Sequence, residues 1–193
     1  MRIVIIGCGK VGRTLVEYLS SEGHDVVVVD TNAAVLSAVS NEQDVITVCG
    51  NGAAYVVQRE AGVQHADLVI AVSPSDELNI LCCLVARKLG DAKTIARVRN
   101  PDYSAQLVLL RDELGLSMTV NPEHAAASEI ARMLRFPSAL RVEPFARNRA
   151  ELVEYVIPAD SALCGMTLGR LAPSLSVHLL VCAVQRGEQV LIP

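Results

Sequence analysis

The first residues whose types and spacing could do chemistry are Gly7-Cys8-Gly9-Lys10-Val11-Gly12, a full G-x-G-x-x-G. Alone that spacing is a weak signal. Here the apolar run Arg2–Ile6 precedes it, a helix-like segment follows it, and Asp30 closes the next Val-rich run. In that setting each residue has a task. Gly7 permits a tight turn, Gly9 lets the backbone approach a pyrophosphate, and Gly12 lets a helix pack closely on a strand. The helix start offers N–H groups and a positive dipole end to phosphate oxygens. Asp30 offers two acceptor oxygens to the two hydroxyls of a ribose. A 2′-phosphate would sit against that carboxylate, and Thr31 and Asn32 supply no cation to offset it. The expected ligand is therefore NAD(H), ATP or ADP rather than NADP.

Further positions could share the site. Lys10 can reach a phosphate from the loop, though an exposed surface lysine fits the position equally well. The P-loop spacing G-x-x-x-x-G-K-[ST] is absent. Gly50-Asn51-Gly52 follows the third strand and would pass near the adenosine; a plain turn explains it nearly as well. Arg97 ends the fifth strand beside Arg99 and Asn100. Ligands of open α/β sheets sit at the carboxyl ends of the strands, so Arg97 is a candidate phosphate clamp, with a solvated arginine as the alternative. The four histidines, His24, His65, His124 and His178, make no defensible catalytic pair. No catalytic or metal-ligating residue is proposed.

The elements that must position these residues alternate from the start. Strands are expected at Arg2–Ile6, Asp25–Asp30, Val45–Val48, Leu68–Val72, Thr94–Val98 and Ser117–Val120. Helices are expected at Lys10–Ser21, Asn32–Ser40, Ala53–Ala61, Pro74–Leu89, Asp102–Leu114 and Glu123–Leu134. Val11, Leu15, Tyr18 and Leu19 share one face of the first helix, and Leu78, Leu81, Cys82 and Val85 should face inward from the fourth. Ser73-Pro74, Asn100-Pro101 and Asn121-Pro122 each place a capping residue before a proline, and Ser73 with Asp76 resembles a capping box. Six such units predict an α/β fold, a doubly wound parallel Rossmann sheet over residues 1–136. The rhythm breaks after Leu134. Residues 137–150 read as a mixed linker. Glu151–Ile157, Val177–Gln185 and Gln189–Ile192 read as strands, with a short helix at Thr167–Leu171 and a hairpin turn at Arg186-Gly187-Glu188. Residues 151–193 are expected to be a small, truncated α+β subdomain.

Composition fits this picture. A chain of 193 residues, 51% hydrophobic and nearly without aromatics, suits parallel strands covered on both faces. A net charge of -4 and the lack of a basic run give no reason for nucleic-acid binding. No apolar run approaches the roughly 20 residues of a membrane helix, so any membrane role would come through a partner. The six cysteines form no C-x-x-C pair and read as small buried hydrophobes in a reducing cytosol.

Several stretches together resemble a known family. They are Met1–Gly12, Val28–Asn32, Arg59–Gly62, Ala66–Val72 with Ser75–Asn79, Ile95–Tyr103 and Asn121–Glu123. The chain resembles the RCK (KTN) domains of bacterial potassium-uptake regulators of the TrkA/KtrA type. The remainder is similar to the start of the RCK C-terminal subdomain. The resemblance implies a cytosolic regulatory subunit, peripheral on the inner membrane face, that gates a potassium transporter or channel in response to NAD(H) or ATP/ADP. It implies homodimers that build rings, joined by the helix over 123–134. Residues matching the family's ligand contacts are Gly7, Gly9, Lys10, Val11, Asp30, Asn32, Asn51 and Arg97, with Glu123 near the phosphates at the dimer interface. Adding Gly12, Gly50 and Val72 completes the candidate set. A small NAD-dependent oxidoreductase is the competing reading; the few residues left for a substrate domain weigh against it, and no enzymatic activity is expected. The stripe Ala126, Ile130, Met133 and Leu134 fits either a core face or a dimer face.

Overall fold

A computed structural model describes residues 1–103, 106, 114–146, 149–174 and 179–193. Contacts gather into two units, Met1–Ser128 and Glu129–Pro193.

The first unit holds a six-stranded parallel sheet of β1 (Arg2–Ile6), β2 (Asp25–Asp30), β3 (Ile46–Cys49), β4 (Leu68–Ala71), β5 (Lys93–Arg97) and β6 (Met118–Val120). Their order is β3-β2-β1-β4-β5-β6, the doubly wound arrangement expected from the alternation of elements. The order reverses at β1, so the glycine turn after β1 lies at the topological switch point. Helices α1 (Lys10–Ser21), α2 (Ala33–Glu42), α3 (Tyr55–Glu60) and α4 (Asp76–Leu89) fill the crossovers, and α5 (Pro122–Arg135) leaves β6. The helix expected over 102–114 falls mostly outside the described residues.

Strand residues alternate between two cores. Ile3, Ile5, Val26, Val28 and Ile70 pack on one face with Val16 of α1 and Leu36 and Val39 of α2. Val4, Ile6, Val27, Val29 and Val69 pack on the other with Cys82, Cys83 and Ala86 of α4. Full burial of such a Val or Ile is worth about 1.5–3 kcal/mol, so the sheet centre is the stable frame on which the rim loops hang.

Helix α3 begins at Tyr55, two residues later than expected, and two other helices differ from the sequence reading as follows. Helix α4 begins at Asp76, two residues later than expected, because Ser75 is the cap: its Oγ accepts from the Leu78 N–H at 3.1 Å. Ser73 instead bonds within the turn, accepting from the Ser75 N–H and donating to the Ser75 carbonyl. The expected Ser73–Asp76 capping box is not formed. The inward face of α4 is Asn79, Cys82, Cys83 and Ala86, while Leu81 is exposed. Small side chains let this helix approach the sheet closely, a preference that a leucine-based pattern misses. Tyr18 of α1 is likewise exposed. At α5 the expected cap holds: Asn121 Oδ1 accepts from the His124 N–H at 2.9 Å.

The second unit contains an antiparallel pair, β7 (Ala139–Phe145) with β8 (Ala150–Tyr155), a short helix α6 (Leu168–Ser174), and a hairpin of β9 (Val184–Arg186) with β10 (Gln189–Leu191) turning at Gly187-Glu188. Strand β7 lies in the stretch read as a mixed linker; it pairs with β8 despite Pro144, as an edge strand allows. The long strand expected over 177–185 is not observed among its described residues before Val184. Its apolar run has no ladder partner there, and hydrophobicity alone does not make a strand.

Candidate functional site

The carboxyl rim of the sheet collects the expected residues. Gly7 has φ +102°, and a side chain there would meet the Ser73 amide nitrogen at 2.8 Å. Gly12 packs so tightly on the turn that a Cβ would drive into the Gly7 carbonyl oxygen. Gly9 is the opposite case. Nothing lies within 4 Å of where its Cβ would be, and it begins α1 with no side-chain cap. The first turn of α1 therefore presents backbone N–H groups over an open cradle, the requirement for an anion at a helix start. Lys10 is exposed and Val11 half-buried on that turn.

Asp30 is joined to the cradle directly. Its Oδ2 accepts from the Cys8 N–H at 2.7 Å, and its Oδ1 from the Asn32 N–H at 2.8 Å. The carboxylate thus fixes the glycine turn against the end of β2 while keeping further lone pairs on both oxygens. The Cys8 thiol, buried behind the turn, is pushed above its usual pKa by burial and then by the Asp30 charge, with Arg13 opposing.

Asn32, Gly50 and Asn51 have local duties. The Asn32 side-chain oxygen caps α2, accepting from Ala34 and Val35 N–H groups at 3.0 and 3.4 Å. Asn51 Oδ1 accepts from the Ala53 N–H at 3.0 Å, closing its own turn. The Gly50 N–H donates to the Asp30 carbonyl at 2.9 Å, and a Cβ on Gly50 would strike Val57. These three shape the wall beside Asp30. Val72 is buried, its N–H donating to the Ile6 carbonyl at 2.8 Å, and it forms the floor behind Gly12.

At the other end of the rim, Arg97 pairs with Glu123 in the first turn of α5. The Arg97 side chain is only 12% exposed, and its Nε is buried without a hydrogen-bond partner. Leaving a buried guanidinium N–H unpaired is energetically costly. Glu123 is held below the usual carboxylate pKa, first by its own backbone N–H, with burial opposing, then by Arg97 and Arg99.

Three residues outside the candidate set also shape this rim. Asn79 is fully buried and bonds to both ends of the gap between β4 and β5: it accepts from the Ser73 N–H at 2.8 Å and donates to the Ser73 and Arg97 carbonyls at 3.1 and 2.9 Å. Gln58 is also fully buried and donates to the Gly52 and Cys82 carbonyls, bracing the loop after β3. Asp76 accepts from the Arg99 and Asn100 N–H groups, both at 2.8 Å, and from Arg99 Nε at 3.3 Å. The signal available was the D-x-x-N spacing at the start of a helix, whose polar residues fall on the buried face.

The Asp76 network has a pH signature. Burial pushes its pKa up, but the two backbone N–H donors and Arg99 outweigh that and hold it below the ordinary value. Its contribution to folding is whole above the unfolded-state pKa of about 3.9 and is lost as pH falls through the lower folded value. Asp76→Ala leaves two N–H groups unpaired and is expected to cost about 1–3 kcal/mol at pH 7. Urea denaturation at pH 7 and at pH 3 checks this: the gap between wild type and variant should narrow in acid, and a pH-independent gap would contradict it.

Among the described residues no cluster of three or more His, Cys, Asp or Glu is arranged to hold a metal, and no helix is long and apolar enough to cross a membrane. Comparison with known proteins places the fold in context. A Trk system potassium uptake protein TrkA homolog of Methanosarcina mazei is 38% identical over the whole chain, which spans 48% of that relative's length. The solved TrkA-N domain of the inner membrane protein YbaL from Escherichia coli is 25% identical with TM-score 0.62, covering 69% of this chain and 96% of that one. The GsuK channel, solved with NAD and with ADP, is 28% identical with TM-score 0.53 over 62% of this chain; the match spans 21% of the NAD-bound channel chain. The TrkA-N domain model itself matches residues 3–122, a span that contains the glycine turn, Asp30 and Arg97 and stops one residue short of Glu123, and the chain belongs to the TrkA-N domain family.

Proposed function

We propose that this chain is the nucleotide-sensing part of a potassium uptake regulator. It binds NAD(H), ATP or ADP and passes the state of its site to a membrane transporter or channel subunit. The observation that carries the reading is the uncapped start of α1 over open space at Gly9, tied through the Cys8 N–H to Asp30. The names of the Trk relatives support potassium uptake, and the NAD- and ADP-bound GsuK channel supports an adenine nucleotide. Gly7, Gly9, Lys10, Val11 and Gly12 would cradle phosphate, Asp30 the ribose, and Arg97 the far phosphate end. Asn32, Gly50, Asn51 and Val72 form the walls. A bound nucleotide supplies phosphate charge and ribose hydroxyls, and the site needs no reaction on it. The role is regulatory, not enzymatic.

Coupling runs through Arg97. Its partner Glu123 stands in the first turn of α5, so an anion that draws the guanidinium away loosens the hold on that helix. No residue of α5 is buried, and Ile130, Met133 and Leu134 are 58, 62 and 75% exposed. In the proposed assembly this stripe packs on a second copy, and pairs build the ring on the cytosolic membrane face. A ligand shifts such a pair only by binding two dimer shapes unequally. NADH and ATP would favour different shapes.

Isothermal titration with NAD+, NADH, ATP and ADP tests the site, with saturable binding expected. Asp30→Ala should weaken NADH and ATP by about 1–3 kcal/mol, the worth of a charge-assisted pair of hydrogen bonds. Because Asp30 also braces the turn, a melting curve accompanies the titration. A folded variant that binds as tightly as wild type would mean the site lies elsewhere.

A further inference from the structure

Resting on the nucleotide-site reading above, we infer that Asn79 is the positioning residue that sets Arg97 for phosphate. Its amide sits at the end of the β4–β5 ladder, whose last paired residues are Ala71 and Ala96. The β4–β5 register ends at that pair. Asn79 bridges the gap with a side chain that is 0% exposed. Its oxygen accepts from the Ser73 N–H, and its nitrogen donates to the Ser73 and Arg97 carbonyls. The Ser73 amide is also the group that Gly7 packs against, at the distance that forbids a Cβ there. One amide therefore joins the glycine turn, through Ser73, to the residue that bears the guanidinium. The donors and acceptors of Asn79 match these three partners in only one orientation, so the link is directional as well as rigid.

The consequence is selective. Without the link the backbone at Arg97 keeps its ladder with β6 but loses its tie to the end of β4, and the guanidinium loses its fixed relation to the α1 cradle. Adenosine, which needs Asp30 and not Arg97, is little affected. Loss of phosphate affinity is expected to be about tenfold, the worth of one charge-assisted contact. A residue that merely supported the fold would weaken adenosine and ADP alike.

The test is a double-mutant cycle on the full chain, titrating ADP and adenosine into wild type, Asn79→Ala, Arg97→Met and the double variant. The expected result is a loss for ADP in Asn79→Ala that vanishes in the Arg97→Met background, with adenosine nearly unchanged throughout. An equal loss for both ligands, or a loss that persists without Arg97, overturns the inference and leaves the nucleotide site standing. A wild type that binds neither ligand overturns both. Should Asn79→Ala fail to fold, Asn79→Asp supplies a second readout with NAD+, whose pyrophosphate keeps its charge from pH 8 to pH 6. Its carboxylate would face two carbonyls, and protonation would restore one donor. Affinity should rise on acidification more steeply than in wild type, and parallel pH profiles overturn the proposal.

Discussion

Gly12→Ala is expected to abolish nucleotide binding and to cost at least about 3 kcal/mol of stability. The added methyl group has one place to go, the carbonyl oxygen of Gly7, and that oxygen is backbone. A flexible side chain could swing aside; this turn cannot. Gly7 already holds φ +102°, its N–H donates to the Val29 carbonyl at 2.8 Å, and it packs on the Ser73 amide. Relief must come from lifting α1 off the sheet, which exposes Val16 and opens the cradle at the same time. Chemical denaturation and calorimetry on one sample check both effects. Wild-type affinity in Gly12→Ala would mean that the turn adapts, and the close packing would have no bearing on binding.

The second large effect concerns assembly. Ile130→Asp is expected to convert the proposed dimer into monomers, because an unpaired charge buried at its interface costs several kcal/mol. The same substitution should barely change the stability of the lone chain, since Ile130 is 58% exposed there. That contrast makes the experiment decisive. Light scattering should report half the mass, and titration should still detect nucleotide at the glycine turn. A dimer that survives would place the α5 stripe outside the subunit contact, and the route from Arg97 through Glu123 to a neighbour would have to be abandoned.

The parts of this fold written in alternation were legible in the sequence. Val-rich runs such as Asp25–Asp30 mark strands buried on both faces, and the glycine spacing with Asp30 places the turn at the switch point. Asn121 before Pro122 marked the start of α5 correctly. What stayed hidden depends on tertiary partners. The pull of Ser75 on the Leu78 N–H, not the proline at position 74, decides where α4 begins. Asn79 lies in a stretch that carries the family resemblance, but its role is set only when β5 brings the Arg97 carbonyl to it. The family resemblance implies ligand contacts at Asn32 and Asn51, and it does not reveal that each side-chain oxygen also accepts from a nearby backbone N–H. Past Leu134 the sequence has few periodic runs, and pairing such as β7 with β8 rests on register rather than on composition.

If Asp30 holds the ribose as proposed, its second duty in the glycine turn constrains how the site could change its cofactor. Recruiting a 2′-phosphate would require removing the carboxylate and supplying a cation. Yet that carboxylate also ties down the Cys8 and Asn32 amides. Any neutral or basic replacement at position 30 would discard the discriminator and a strut of the glycine turn in a single step. A switch toward phosphorylated dinucleotides would therefore have to pass through a weakened intermediate, or begin with a compensating change that re-anchors the turn before Asp30 is lost. On the proposed reading, the preference for unphosphorylated ribose is tied to the same hydrogen bonds that hold the glycine turn.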